Sequence, residues 1–340
     1  MVSMLKISLS HQKKYYQEKI KIMTNIEFIE GVKLSNLCDY SFGDQSSVIC
    51  GVPGGWMKPA NFTNTEFILK VNLIKSQRNY MTLFIDNIRL YNRPITVEKE
   101  FDQNWINNLM SQNDLLQLCS LLPEMNFIIY TNLEDTPIDS KIQNKIPKNV
   151  LKIFAVNSIY NDEIVRPFPY GVQRKLNYFD NKIEVLRNTM TQIVEPEKLM
   201  YVNHNISTNV KERSGIYELF EGQDWATNSK DRISYDTFLR NIQLHQFMIC
   251  PIGNAIDCHR NWEVLYLRRV PIMKKNDYLV ILFEEFPVLF VNDYSEITEN
   301  LLIDNYKLFN EAQTMSLDNL DLNKLFVSTV EESIKILTIN

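Results

Sequence analysis

Glycine is scarce in this chain. Of 340 residues only nine are glycine, and Gly43, Gly51, Gly54 and Gly55 crowd into one stretch, CDYSFGDQSSVICGVPGGWMKP. Glycine is kept where backbone must turn or be closely approached. That stretch therefore reads as a β-rich segment whose loops reach a cleft, or as plain hairpin turns. Histidine is scarcer still: His11, His204, His245 and His259 are all there is, so a multi-histidine metal site is not expected. The five cysteines, Cys38, Cys50, Cys119, Cys250 and Cys258, form no C-x-x-C pair. Structural zinc is not expected, and a reducing compartment is the simpler assumption. Basic residues are in deficit, 36 against 41 acidic, for a net charge of −5. A general nucleic-acid binder would need a basic field that this balance does not supply. No run of about 18 apolar residues occurs, so no membrane span is expected. The opening residues lack the apolar core of a signal peptide, which points to a cytoplasmic protein. The abundance of asparagine, isoleucine and lysine fits an AT-rich genome, bacterial or of a large virus.

What is present is organised around Gln246–Lys274, QFMICPIGNAIDCHRNWEVLYLRRVPIMK. Phe247–Cys250 is a short apolar run that suits a strand buried on both faces. Pro251-Ile252-Gly253-Asn254 breaks it with turn residues. Asp257 is placed to cap a helix carrying Trp262, Val264, Leu265 and Leu267. Val270–Met273 is the next apolar run. A strand–turn–helix–strand unit presents a glycine turn and a helix N-terminus at the carboxyl edge of a parallel sheet, where anions bind. His259, Arg260 and Glu263 share one side of that helix by their spacing. A basic pair followed one turn later by a carboxylate suits a nucleoside diphosphate, cation to phosphate and carboxylate to ribose. The competing reading is an amphipathic helix with a solvated charged face.

The remainder alternates. Strands are expected at 80–87, 126–132 and 150–156, with helices at about 102–122 and 140–145 between them. The segment 165–172, VRPFPYGV, reads as an extended crossing and not as a central strand. After a helix at 177–193, Glu195-Pro196-Glu197 makes a hinge. A strand at 198–203 then delivers Asn203, His204 and Asn205 to a sheet edge. Thr208 or Asn209 is expected to cap a helix over 210–221, with Arg213 in its first turn as a second phosphate grip or a solvated surface arginine. A helix at 234–245 leads into the organising unit. A strand at 287–291 and a helix at 294–309 follow, before a helical tail. Strands alternating with helices predict an α/β fold with parallel sheets.

ICPIGNAIDCHRNWEVLYLRRVPIM resembles the C-terminal signature of exostosin-like glycosyltransferases, in which a Pro-Arg-Gly-Asn turn precedes a His-Arg-x-Trp-Glu helix and a Pro-Ile strand. YVNHNISTNVKER resembles the first strand–helix step of the same half. Ile252 stands where the family often has arginine, removing one phosphate contact. Arg269 stands where a glycine usually precedes the Val-Pro step, implying a different approach of backbone to donor. The resemblance implies a GT-B fold of two Rossmann-like domains facing a cleft: an acceptor-side domain over 1–195, a donor-binding domain over 196–310, and a tail, 311–340, packing back on the first. It implies an inverting transferase that needs no metal and no obligatory cofactor, moving a sugar from a UDP- or GDP-sugar to a hydroxyl of a glycan or polysaccharide.

Such chemistry needs a base for the acceptor hydroxyl and positive charge for the departing diphosphate. The donor-binding set is Arg213, Asn254, His259, Arg260 and Glu263. The base candidates are Asp86, at a strand's carboxyl end, Asp44, in the glycine-rich loop, and Asp135; loop capping and surface ion pairing are the competing roles for each. No Asp-x-Asp string follows an apolar strand, as a metal-dependent transferase would show. A catalytically silent carbohydrate- or nucleotide-binding protein, or a nucleotide-sugar epimerase, stands as the alternative.

Overall fold

Short runs of β-branched and aromatic residues, each closed by turn formers, make ten strands among the described residues, and they pair in two sheets of five. The computed structural model describes residues 27–29, 31–42, 64–85, 90, 114–132, 135–172, 182–192, 194–311 and 320–339. Residues 1–26, the glycine cluster with Asp44, and Asp86 lie outside them.

The first sheet runs β1 (Tyr40–Ser41), β2 (Tyr80–Ile85), β3 (Asn126–Thr131), β4 (Val150–Ala155), β5 (Val165–Pro167), in that order and all parallel. The second contains β6 (Lys198–Val202), β7 (Ala226–Asn228), β8 (His245–Ile249), β9 (Val270–Lys274) and β10 (Leu289–Val291), in the order β7-β6-β8-β9-β10, again all parallel. Helices α1 (Gly31–Leu37), α2 (Asn64–Lys75), α3 (Leu115–Ser120) and α4 (Lys182–Met190) belong to the first half of the chain. The second half carries α5 (Val210–Arg213), α6 (Ile216–Leu219), α7 (Tyr235–Leu244), α8 (His259–Tyr266), α9 (Asp277–Leu282), α10 (Glu299–Glu311) and α11 (Leu322–Ile339).

Strand periodicity divides the interior into layers. Met81, Leu83, Ile85, Phe127 and Ile129 face one way, onto Phe67, Val71 and Ile74 of α2 and Leu115 and Leu118 of α3. Their neighbours Phe84, Ile128 and Tyr130 face the other way, into a core shared with Tyr201 and Met248 of the second sheet and with Trp262 and Tyr266 of α8. Met200, Val202, Phe247 and Ile249 point outward from there, onto Ile216, Tyr217 and Leu302. One apolar layer thus lies between the sheets, and α11 closes part of it. The Tyr130 hydroxyl meets the Thr329 hydroxyl at 2.7 Å, and Lys152 lies 3.5 Å from Glu332.

Several expectations are corrected. The β-rich reading of the glycine-containing stretch falls almost wholly outside the described residues, which show only β1 at its start; α2, beginning at Asn64, was not foreseen. The helix expected over 210–221 is broken into α5 and α6 at Gly215, whose φ of +82° leaves the helical region. Asn209 caps α5 through the Glu212 N–H. Strand β7 and helix α9 were not foreseen either. Segment 165–172 does supply an edge strand, ending at Pro167, where a missing N–H does no harm. Gly171 has φ +77°, and a Cβ there would collide with the Ile29 carbonyl. No helix among the described residues is long and apolar enough to cross a membrane.

Candidate functional site

In the second sheet the chain steps outward from β6 to β7 and then back across to β8. The crossovers therefore diverge between β6 and β8, and crevices outside the carboxyl ends of parallel strands open at such a reversal. β6 delivers His204 to that place, and β8 delivers Pro251, Ile252 and Gly253.

Arg213 is buried against this turn. Its Nε donates to the Ile252 carbonyl at 2.9 Å, Nη1 to Asn205 at 2.9 Å and Nη2 to Pro251 at 3.0 Å. A planar fork with five donors suits three converging carbonyls as lysine would not. The guanidinium thus fixes the turn's shape, and much of its donor capacity is used there instead of on a ligand. Gly253 is required by the same packing: a Cβ would stand 2.8 Å from Arg213 Nη2 and 3.2 Å from Cys258 Sγ. Asn209 also donates to the Gly253 carbonyl, at 2.9 Å. Asn254 is exposed at the tip.

Asp257 does not cap α8; Cys258 occupies that position, without a side-chain cap bond. The Asp257 carboxylate is instead fully buried. It accepts from Trp262 Nε1 at 2.7 Å, Asn261 Nδ2 at 3.0 Å and the Tyr170 N–H at 2.8 Å. Its own N–H donates to Asn157 Oδ1 at 3.0 Å. The Asn157 N–H in turn donates to the Tyr278 hydroxyl, which donates to the Phe168 carbonyl. Asn157 follows β4, Asp257 follows β8 and Tyr278 follows β9, so the carboxyl edges of the two sheets adjoin here. Burial pushes the Asp257 carboxyl up to about 7, against the pull of its donors. Trp262 serves the core and this carboxylate.

His259 is the first residue of α8. Burial holds its imidazole down to about 4, aided by Lys182 and opposed by the Gly171 carbonyl. Nδ1 lies 2.7 Å from that carbonyl, and the ring stacks on Tyr170 with centroids 4.6 Å apart. Tyr170 OH reaches Asp135 Oδ1 at 3.3 Å. Partial burial raises the Asp135 carboxyl, while this hydroxyl opposes the shift.

Arg260 and Glu263 are the charged pair left over. Glu263 is buried, 4% exposed, and Tyr235 OH donates to its Oε1 at 2.8 Å. Burial raises its carboxyl; Tyr235, then Arg260 and Lys182, pull it down. Arg260 is half-buried, with its guanidinium 5.6 Å from the centroid of Phe238. It has no hydrogen-bond or salt-bridge partner among the described residues, and its Nε is buried without one. Its charge acts on His204, Arg213, Cys250 and Glu263, groups that follow β6 and β8 or stand on the next helix. His204 stacks on Tyr217, uses Nε2 on the Arg213 carbonyl at 3.2 Å, and leaves Nδ1 buried with no partner among the described residues.

Arg269, expected to alter the approach to a donor, lies at the opposite end of its strand. It donates to the carbonyls of Gln243 and Val194. The left-handed residue ending α8 is Arg268, with φ +57°, a conformation that costs a side-chain-bearing residue about 1–2 kcal/mol.

The structure therefore brings Arg213, His259, Arg260 and Glu263 to one edge, with Asn254 at its rim. Asp135 reaches the same region through Tyr170. Asp44 and Asp86 lie outside the described residues. Sequence reading missed Tyr235, Tyr170, Asn157 and Tyr278, whose partners are 28 to 121 residues away. Among the described residues no group of three or more His, Cys, Asp or Glu is placed to hold a metal ion. No protein-family description and no curated protein matches the chain.

Proposed function

We propose that this chain is a glycosyltransferase similar to the exostosin-like enzymes, of GT-B architecture, transferring a sugar with inversion from a UDP- or GDP-sugar to a hydroxyl of a glycan. The reading assigns 1–195 to the acceptor side, 196–310 to the donor side and 311–340 to a returning tail. One observation carries it: Arg260 is a half-buried cation without an ion-pair partner among the described residues, one helical turn from the buried carboxylate of Glu263, on the helix that follows β8, one of the two strands at the reversal of a parallel sheet. Leaving a cation unpaired in such a place is costly unless a ligand supplies the anion. Glu263 Oε1 is occupied by Tyr235, and no other hydrogen bond to this carboxylate is formed among the described residues. An oxygen is thus left for ligand hydroxyls, while Arg260 and the turn held by Arg213 receive the diphosphate. No step in this scheme requires a metal.

The test is incubation with a panel of UDP- and GDP-sugars, following release of the nucleoside diphosphate with and without oligosaccharide acceptors. Glu263→Ala is expected to abolish turnover while the far-ultraviolet circular dichroism is unchanged. Undiminished turnover in that variant would refute the assignment. A silent sugar-nucleotide binder is the second reading. It is favoured by Ile252 in the turn and by the use of the Arg213 fork on carbonyls. Saturable nucleotide binding without any product would select it.

A further inference from the structure

A carbonyl oxygen only accepts, so the 2.7 Å contact between His259 Nδ1 and the Gly171 oxygen puts the ring's proton on Nδ1. Nε2 of the neutral ring then carries a lone pair. It makes no hydrogen bond or ion pair among the described residues, and the residue as a whole is of intermediate exposure. Tyr170 holds the ring plane from one face by stacking, and Tyr170 is itself pinned through its N–H to Asp257. The imidazole is thus fixed in tautomer and orientation by the first half of the chain while standing on the first turn of α8. Glu263 lies four residues on, on the same side of that helix, and Lys182 acts electrostatically on both. A group oriented in this way by a second-half helix and a first-half loop is built to meet a ligand between them.

From this geometry we infer that His259 Nε2 accepts the proton of the attacking hydroxyl. The inference rests on the transferase reading above. As the hydroxyl oxygen bonds to the anomeric carbon, the bond from that carbon to the diphosphate oxygen breaks and its electron pair leaves with the nucleoside diphosphate. The hydroxyl proton passes to Nε2, and the resulting imidazolium releases it to water once the products have left. The charged and titratable groups around the ring are Asp257, Cys258, Arg260 and Glu263 on its own segment, Tyr170 and Asp135 from the first half, and Lys182 from α4. An arriving diphosphate adds negative charge to this set and favours the imidazolium.

The discriminating variant is His259→Asn, whose side-chain amide keeps a donor for the Gly171 carbonyl but has nothing at the Nε2 position. Titration with UDP and GDP reports binding, and hydrolysis of the best UDP- or GDP-sugar reports turnover, with water as the acceptor. The expected result is nucleotide affinity within about threefold of wild type and turnover lowered at least about 100-fold, the lower end for general-base catalysis. Wild-type turnover should also fall on the acid side of its pH profile, and the residual rate of the variant should lose that limb. A merely structural His259 would leave the limb in place. Near-normal turnover in His259→Asn, or its loss in Asp135→Asn or Asp86→Asn alone, overturns the inference and moves the base. If His259→Asn fails to fold, the wild-type profile decides: a flat acid side overturns it. Absence of nucleotide binding in the wild type would instead sink the transferase reading itself.

Discussion

The backbone N–H of Tyr170 donates to the carboxylate of Asp257, 87 residues later, at 2.8 Å. This bond joins the end of the first sheet to the start of α8, and every other partner of that carboxylate is also a donor. Asp257 is therefore the fastening between the two halves. Asp257→Ala would remove the acceptor of the Tyr170 N–H, Trp262 Nε1 and Asn261 Nδ2. Each orphaned donor costs about 1–3 kcal/mol, with incomplete additivity, so a loss of at least about 3 kcal/mol is expected. Urea denaturation of the purified chain measures it, and a loss under about 1 kcal/mol would show that the fastening carries little.

The same carboxyl gives a pH signature of defined sign. Burial raises it to about 7 in the folded chain, whereas the unfolded value is about 3.9. The folded state binds this proton more tightly, so the contribution to stability is complete below about pH 4 and is lost as pH rises through about 7. Stability of the wild type relative to Asp257→Asn should decline across that window and level off above it. A constant difference from pH 4 to 8 would contradict the assignment.

Much of the scaffold was legible because its signals are local. β3, β4, β6 and β9 are apolar runs of five or six residues bounded by turn formers, and they begin where the pattern starts. The helix containing Arg260 and Glu263 was equally readable from spacing. What eluded sequence reading is what only packing decides. Asp257 stands at a typical capping position, yet its carboxylate turns inward, onto Trp262 Nε1 and the Tyr170 N–H. His259 looks like a cation until burial against Tyr170 and Gly171 is seen to hold it neutral. For Arg213 the three carbonyls around the fork, two of them about 40 residues away, could not be read from its place in the helix.

Three histidines should make the fold sensitive to acid, in the sense opposite to Asp257. His204, His245 and His259 are each held down to about 4, chiefly by burial. The unfolded chain takes up their protons near 6.5. Their contribution is complete above that value and is lost as pH falls towards 4, by up to about 1.4 kcal/mol per pH unit for each buried ring. His245 bonds the Asn241 carbonyl at 2.6 Å and Thr227 Oγ1 at 2.8 Å. His245→Gln, which can retain one of those bonds, should flatten the fall in melting temperature between pH 6.5 and 4. An unchanged slope would mean that His245 titrates normally.

Gly253 and Arg213 should behave as one unit. A methyl group at 253 enters the space of Arg213 Nη2 and Cys258 Sγ, and overpacking of this kind costs about 1–3 kcal/mol. Gly253→Ala is expected to lower stability by that amount and to loosen the fork from Pro251 and Ile252. Arg213→Lys should cost a similar amount, because one ammonium cannot span three carbonyls. The double variant should lose clearly less than the sum, since lysine vacates the space that the methyl needs. Strict additivity in a denaturation cycle would show the two residues to be independent.

Tyr235 gives the sharpest check on the charged pair. Its hydroxyl donates to Glu263 Oε1 at 2.8 Å from another helix, so it both orients the carboxylate and steadies its ionised form. Tyr235→Phe keeps the ring beside Phe238 and removes only that bond. A hydrogen bond to a charged group is worth about 1.5–3 kcal/mol, so the Glu263 carboxyl should rise further above its ordinary range. Ligand binding that needs the carboxylate should then weaken roughly tenfold or more near pH 6 and recover towards pH 8. Isothermal titration of Tyr235→Phe with UDP and GDP at the two pH values reads both effects. Equal affinity at pH 6 in variant and wild type would mean that ionised Glu263 does not contact the ligand.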